Sequence, residues 1–159
     1  MRRLFSFGFV LLAVGLSLPL QSGSAHPAGA SPVAEGWIAA WNSHDPAKWA
    51  TYFTADIYYE DVTFGEISRG SAEASKFAAS FFADVPDLNL ELVEASVEGK
   101  HGSIQWILSG TDKGVFKTGK KFKVRGASII TIDQGKISRS VDYYDLAAIM
   151  KQVGVLPAS

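Results

Sequence analysis

The segment from Ile129 to Asp145 reads as two strands joined by a tight turn at Asp133 to Gly135, and it sets a carboxylate, Asp142, near the end of the second strand. Side chains alternate along a strand, so Ser138, Ser140, Asp142 and Tyr144 are expected on one face and Ile137, Arg139, Val141 and Tyr143 on the other. With the first face turned inward, Asp142 is a carboxylate in an apolar cavity. Such a group is costly unless paired, hydrogen-bonded or neutralised, and its pKa moves toward the range where a general acid or base works. The plain alternative is an Asp142 that faces solvent or braces Arg139 or Lys136. A second carboxylate, Asp61, shares one face with Ile57 and Tyr59 in a strand expected over 57–63; its alternative is a strand-end or turn residue.

Abstracting a proton next to a carbonyl needs a base within hydrogen-bond reach and a donor where negative charge develops on oxygen. Asp142 and Asp61 are the candidate bases, with Asp142 ranked first. Ser128, Trp37, Tyr59 and Tyr144 are candidate donors. The structural alternative for the tyrosines is a packing role with hydroxyls at a wet edge, which phenols often fill. Two carboxylates around one pocket also fit acid/base hydration of an epoxide.

Helices and strands must position these groups. Ser31 and Pro32 open a helix whose Val33, Trp37, Ala40 and Trp41 fall on one face, and Asn42 to His44 ends it. Asp45 and Pro46 then cap a short second helix expected to run through Trp49 to Phe53. Gly70 and Ser71 start a third helix, which carries Phe77, Phe81 and Phe82 and ends before Pro86; such a stripe reads first as core. From Leu88 onward the pattern is strand after strand. Leu88, Leu90 and Leu92 alternate with polar residues, a turn at 98–102 leads into a strand over 103–111, and 112–119 is a glycine-containing loop. Phe122, Val124, Gly126, Ser128, Ile130 and Ile132 then share one strand face, and Asp145 caps a last helix to about Gln152. Leu88, Leu90, Phe122, Val124 and Ile130 should turn inward with the helix aromatics. Helices with a mostly antiparallel sheet indicate an α+β layer fold whose curl leaves a cavity.

The beginning of the chain reads differently. Arg2 and Arg3, an apolar run from Leu4 to Leu20, and small residues to Ala25 have the order of an export signal over 1–25, with a second candidate site at Ala28 to Ala30. A retained membrane anchor is the competing reading. A single domain over 26–159 is expected, large enough for its own core, exported to the periplasm or medium. Without Arg2 and Arg3 acids outnumber bases, which speaks against nucleic acid as a partner. The chain has no cysteine, so thiol catalysis, iron-sulfur clusters and cysteine-ligated zinc are excluded. His26, His44 and His101 are too scattered to suggest a metal site, and the last two read as surface residues. Lys121, Lys123 and Arg125 alternate with Phe122, Val124 and Gly126, so with Lys117 and Lys120 they read as a solvated face and not as an anion site.

Several short pieces, none specific alone, recur here in a telling order: Trp41-Asn42, Tyr59-Glu60-Asp61 with Gly65 and Arg69-Gly70, Pro86-Asp87-Leu88, Trp106 with Gly110-Thr111, Thr118-Gly119-Lys120, Gly135-Lys136-Ile137, and Asp142 through Asp145 to Gly154. In that order and spacing the chain resembles the SnoaL-like polyketide cyclases of the nuclear transport factor 2-like superfamily, which are related to ketosteroid isomerases. The resemblance covers nearly all of 26–159. It implies a cone-shaped α+β fold, a curved antiparallel sheet packed on N-terminal helices around an apolar pocket, with dimerisation through the sheet. It also implies that Asp142 matches the cyclases' acid/base aspartate and that Asp61, following Glu60, matches the isomerases' proton-shuttling aspartate. This chain departs from the relatives in three places. Gly110-Thr111-Asp112-Lys113-Gly114 stands where cyclases carry a histidine in a Gly-Thr-His-x-Gly segment, Ser128 where relatives place a pocket histidine or protonated aspartate, and Trp37 where the isomerases have an oxyanion tyrosine.

The sequence therefore leads to a small exported enzyme of the cyclase or isomerase kind, working without metal or organic cofactor on a hydrophobic small molecule that bears a carbonyl. Asp142 and Asp61 are its expected catalytic residues, and Trp37, Tyr59, Trp106, Ser128 and Tyr144 its expected substrate contacts. A non-catalytic module that binds a hydrophobic ligand is the competing class. The order of the N-terminal regions predicts a processed protein starting near His26 or Ser31. N-terminal sequencing of the secreted product checks this, and Met1 on a membrane-bound product would overturn it.

Overall fold

The computed structural model describes residues 31–157; the expected signal over 1–25, both candidate cleavage sites and His26 lie outside the described residues. Helix α1 (Pro32–Asn42) and the short α2 (Pro46–Ala50) come first, followed by strands β1 (Phe53–Asp61) and β2 (Glu66–Arg69) and helix α3 (Ser71–Asp84). Then come β3 (Asn89–Glu98), β4 (His101–Thr111), β5 (Lys121–Asp133), β6 (Lys136–Tyr144) and helix α4 (Leu146–Val153). The six strands form one curved sheet in the order β2-β1-β6-β5-β4-β3. Every neighbouring pair is antiparallel except β1 with β6, which run parallel. This is the α+β arrangement expected, with helices on one face of the sheet.

Local chemistry explains most of the boundaries. The Asp45 carboxylate accepts from the amides of Ala47 and Lys48 at 2.9 and 3.0 Å, with Pro46 supplying the first helical φ. Asp145 caps α4 in the same way through the amide of Ala148. Ser31 occupies the cap position of α1 but makes no side-chain cap bond, so Pro32 alone marks that start. The β5–β6 hairpin closes through Gln134 and Gly135, with φ of 49° and 77°, the left-handed pair that a two-residue turn needs to match strand twist.

Three details differ from the pattern in the sequence. Helix α2 stops at Ala50 and Phe53 already belongs to β1, because the Phe53 ring packs edge-on against Trp49, with centroids 4.5 Å apart, and continues the sheet's inner face. The short edge strand β2 had no alternation long enough to announce it. In β6 the pairing slips between Thr131 and Ile132, so that Ile132 opposes Ile137 while Thr131 opposes Arg139. This bulge gives β6 one extra residue, Ser138, and turns Ile137 into the core, where it is fully buried, instead of leaving it on the face of Arg139 and Tyr143.

The core lies between the concave face of the sheet and α1, α2 and α3. Leu88, Leu90, Phe122, Val124 and Ile130 are buried there as expected, with Trp37, Trp49, Ile57, Tyr59 and Ile104. Lys117, Lys120, Lys121, Lys123 and Arg125 are all exposed, the solvated strand face and loop that alternation indicated. Asp87 fastens the start of β3 to the end of β4 by accepting from the Thr111 amide and hydroxyl at 2.6 and 2.7 Å. Asp112 is a buried loop organiser, accepting from the amides of Phe116 and Thr118 and from the Thr118 hydroxyl.

Strand β3 is a sheet edge, and an exposed edge is a template for unwanted pairing. Asn42 covers part of it: its side-chain amide donates to the Leu90 carbonyl and accepts from the Leu90 amide, at 2.8 and 2.7 Å, as a neighbouring strand would. His44 adds a bond from its imidazole Nε2 to the Leu88 carbonyl at 2.7 Å while stacking on Phe82, so it is a half-buried structural corner and not a surface histidine. Asn42→Ala removes two bonds and leaves both Leu90 backbone groups unpaired. We expect a loss of about 1–3 kcal/mol in unfolding free energy together with faster hydrogen exchange at the Leu90 amide, measured by NMR.

Candidate active site

Register brings the acidic residues together. Parallel pairing of β1 and β6 sets Asp61 directly opposite Asp142 and Tyr59 opposite Ser140, all on the concave face. Antiparallel pairing of β5 with β6 sets Ser128 opposite Asp142 and Gly126 opposite Tyr144, and on the next strand Trp106 opposes Gly126. Asp61 and Asp142 are 2% and 3% exposed. Two carboxyls on adjacent strands, both out of water, require donors.

The donors are arranged crosswise. Tyr59 on β1 donates to Asp142 on β6 at 2.7 Å, and Tyr144 on β6 donates to Asp61 on β1 at 2.7 Å. Asp142 also accepts from the hydroxyls of Ser140, at 3.1 Å, and Ser128. Ser128 Oγ in turn accepts the indole N–H of Trp106 at 2.9 Å, which orients its own proton toward Asp142. Gly126 makes this possible: a Cβ there would lie 2.2 Å from the Trp106 ring. Asp61 differs in having a backbone donor, the Phe64 amide at 3.0 Å, so it is also the turn residue that closes β1.

These surroundings shift both acids upward. Burial is the main cause for Asp142, raised to about 6; hydroxyls from Ser128, Tyr59 and Ser140 pull it down, and the charge of Asp61 pushes it up. Burial likewise raises Asp61 against the lowering bonds from Tyr144 and the backbone of Phe64 and Thr63. The phenols of Tyr59 and Tyr144 are raised by burial and by the two carboxylates, so both remain protonated donors.

A small chamber adjoins them. It has about 20 Å³ of free volume and is lined by Trp37, Trp41, Tyr59, Asp61, Phe77, Phe81, Leu90, Trp106, Leu108, Asp142 and Tyr144. That is room for about one water molecule. A groove of about 560 Å³ lies outside it, between β2 and α3, and does not reach either carboxyl. Phe77 and Phe81, one turn apart on α3 with rings stacked 6.0 Å apart, wall both spaces.

Of the residues singled out in the sequence, Asp142, Asp61, Trp37, Tyr59, Trp106 and Tyr144 line the chamber together. Ser128 does not; it stands behind Asp142, bonded to it and to Trp106. Ser140, Trp41, Phe77 and Phe81 belong to the site and were not singled out for it. Alternation had already put Ser140 on the Asp142 face, and Trp41 lies four residues from Trp37, so both signals were present. Among the described residues no group of three or more histidine, aspartate or glutamate side chains is placed to hold a metal ion.

The pair has a measurable consequence for stability. A folded-state pKa above the unfolded value means that the native state binds the proton more tightly, so the stability contributed is full below about 4 and is lost as pH rises toward about 6. Asp142→Asn removes that loss. Urea unfolding of both forms should show the variant gaining on the wild type between pH 4 and pH 7, by up to about 3 kcal/mol. A difference that stays flat across this window would mean that Asp142 has an ordinary pKa.

Comparison with known proteins agrees with this architecture. Over 94 residues, 58% of this chain and 69% of the relative, the sequence is 28% identical to the cyclase aurE of Calcarisporium arbuscula. A protein with a ketosteroid isomerase-like fold from Catenulispora acidiphila, solved in complex with trimethylamine, superposes with a TM-score of 0.74 at 28% identity, covering 81% of this chain and 97% of that one. A SnoaL-like polyketide cyclase from Jannaschia sp. CCS1 shares the fold with a TM-score of 0.64 at 20% identity, over 80% and 98% of the two chains. The profile of the SnoaL-like polyketide cyclases matches residues 32–153, from the first residue of α1 to the last of α4, and the chain belongs to that family.

Proposed function

We propose that this chain catalyses cofactor-independent acid/base chemistry, of the cyclase or isomerase kind, on a hydrophobic small molecule bearing a carbonyl. The observation that carries this reading is Asp142: a buried carboxyl facing a small chamber, held by three hydroxyl donors, with its pKa raised to about 6 by burial. A base poised there takes a proton efficiently at physiological pH and returns it afterwards. The carbon acid next to the carbonyl gives its proton to Asp142, and the electron pair moves onto the carbonyl oxygen as an enolate. In a ring closure the enolate carbon then attacks a second carbonyl, and the new alkoxide recovers the proton from Asp142. In an isomerisation the proton returns to a different carbon. Ser128 and Ser140 hold the carboxyl in place, and Asp61 with Tyr144 supplies a neighbouring acid.

Substrate reaches Asp142 in this scheme by displacement of Phe77 and Phe81, the wall between groove and chamber. Both rings are half-buried, which leaves them room to turn outward. A chamber the size of one water beside two carboxyls favours a second reading, hydration of an epoxide. The reading also includes export to the periplasm or medium, and a homodimer through the sheet, whose convex face presents Ile129 and Tyr143 at 47% and 49% exposure.

Asp142→Asn keeps shape and lets Tyr59 still donate, so it should abolish turnover while preserving the fold and most ligand affinity. Turnover of both forms is measured against a panel of enolisable ketones, polyketide-like esters and epoxides. Equal turnover in the two forms would transfer the base to Asp61, and binding without turnover in the wild type would identify a ligand-binding module.

A further inference from the structure

Strand β1 ends at Asp61, opposite Asp142, while β6 continues to Tyr144. Beyond Asp61 the chain turns away through 62–65 into β2, so no residue of β1 stands beside the end of β6. The turn itself reaches across. The Val62 amide donates to the Asp142 carbonyl at 3.1 Å, and the Phe64 ring packs edge-on against the Tyr144 ring with centroids 6.2 Å apart. The Thr63 hydroxyl donates to the Tyr144 carbonyl at 2.9 Å and accepts from the Tyr144 amide at 3.3 Å, standing in for the backbone that a longer β1 would have offered. These contacts close a ring. Asp61 Oδ1 accepts from the Phe64 amide at 3.0 Å, its Oδ2 accepts the Tyr144 phenol at 2.7 Å, and Thr63 holds the backbone of that same tyrosine while bonding Asp61 through its own amide.

We propose that Thr63 is a positioning residue: through the backbone of Tyr144 its hydroxyl keeps the Tyr144 phenol on Asp61, and so decides that Asp142, and not Asp61, is the carboxyl that takes up the proton. This rests on the reading of the site as an acid/base centre and deepens it by naming what sets two adjacent, buried aspartates apart. Hydrogen bonds to a carboxylate favour its charged form. Asp61 receives one from the phenol that Thr63 anchors and two from the turn amides, all of which pull it down against burial, and the charge of Asp61 in turn pushes Asp142 up. The titratable groups around Asp61 are Glu66 from β2, Asp142 and Tyr144 from β6, and Tyr59 from its own strand. The helices α1 and α3 face it with Trp37, Trp41, Phe77 and Phe81, which carry no charge. Thr63 touches neither the chamber nor Asp142, so its effect must pass through Tyr144 and Asp61.

The test is a titration, so it is independent of turnover. The side-chain carboxyl carbons of Asp61 and Asp142 are followed by ¹³C NMR against pH in the purified protein. In the wild type Asp142 should take up its proton at higher pH than Asp61. Thr63→Val keeps the shape of the side chain and removes both bonds to Tyr144; the titration of Asp61 should move upward, toward that of Asp142, and Thr63→Ser, which keeps the hydroxyl, should return it. Tyr144→Phe should move Asp61 in the same direction, and adding Thr63→Val to it should move Asp61 no further, since the threonine acts through the phenol. Should Thr63→Val not fold, Thr63→Ala carries the same expectation. An Asp61 titration unmoved in the folded variant, an equal shift with phenylalanine already at 144, or an Asp61 that titrates above Asp142 in the wild type would each overturn the proposal. A protein without turnover whose Asp61 responds as expected would keep the positioning role, and the acid/base reading alone would fall.

Discussion

Two carboxyl groups side by side inside an apolar core are the constraint that organises this molecule. Ionised acids are expensive to remove from water, and two neighbours raise the cost further. The parallel pairing of β1 with β6 creates the situation by setting Asp61 opposite Asp142, and the same pairing offsets it. Each strand carries a tyrosine two residues from its own aspartate, and each tyrosine reaches the aspartate of the other strand. Removing either strand from register would strand both acids. The sheet's single parallel pair is therefore also its most demanding one.

The rest of the inner surface follows from that pair. Asp142 has only side-chain hydroxyls as donors, whereas Asp61 also takes the Phe64 amide; burial raises both acids, Asp142 to about 6. Its serine neighbour on β5 has to point a proton at it, which requires something to occupy the serine oxygen. Trp106 does so, and the large indole fits only because β5 has glycine at 126. A chain of four strands thus fixes one carboxyl through contacts that are individually ordinary. Networks of this kind are rigid when every member is satisfied, and they fail together when one is removed.

Closure is the other side of the same design. Aromatic side chains from α1 and α3 cap the acids so tightly that about 20 Å³ remains, while the spacious groove lies on the far side of Phe77 and Phe81. A small chamber with room for little water strengthens the electrostatic interactions within it. It also places the burden of access on α3, whose two half-buried rings are the thinnest part of the wall.

Much of this was legible in the chain. The alternation of Ser140, Asp142 and Tyr144, the hairpin signal at Gln134 and Gly135, the caps at Asp45 and Asp145, and the aromatic spacing of α1 and α3 are local, and period and turn chemistry report local structure directly. The family resemblance lay in the order of short motifs, and the structure explains several of them physically: Asn42 seals the β3 edge, Asp87 ties β3 to β4, and Trp106 orients Ser128 toward Asp142. The bulge that turns Ile137 inward, the edge strand β2 and the early start of β1 were not legible, since each is fixed by pairing or packing with a neighbouring element and leaves no period in its own few residues. The central fact of the site was not legible either. The sequence by itself determined that Asp142 shares a strand face with Ser140 and Tyr144, and Asp61 one with Tyr59; only the tertiary structure decided that both faces turn inward and that β1 lies parallel to β6 in the register that crosses their hydrogen bonds, because register between strands some eighty residues apart is set by packing across the sheet and not by either strand alone.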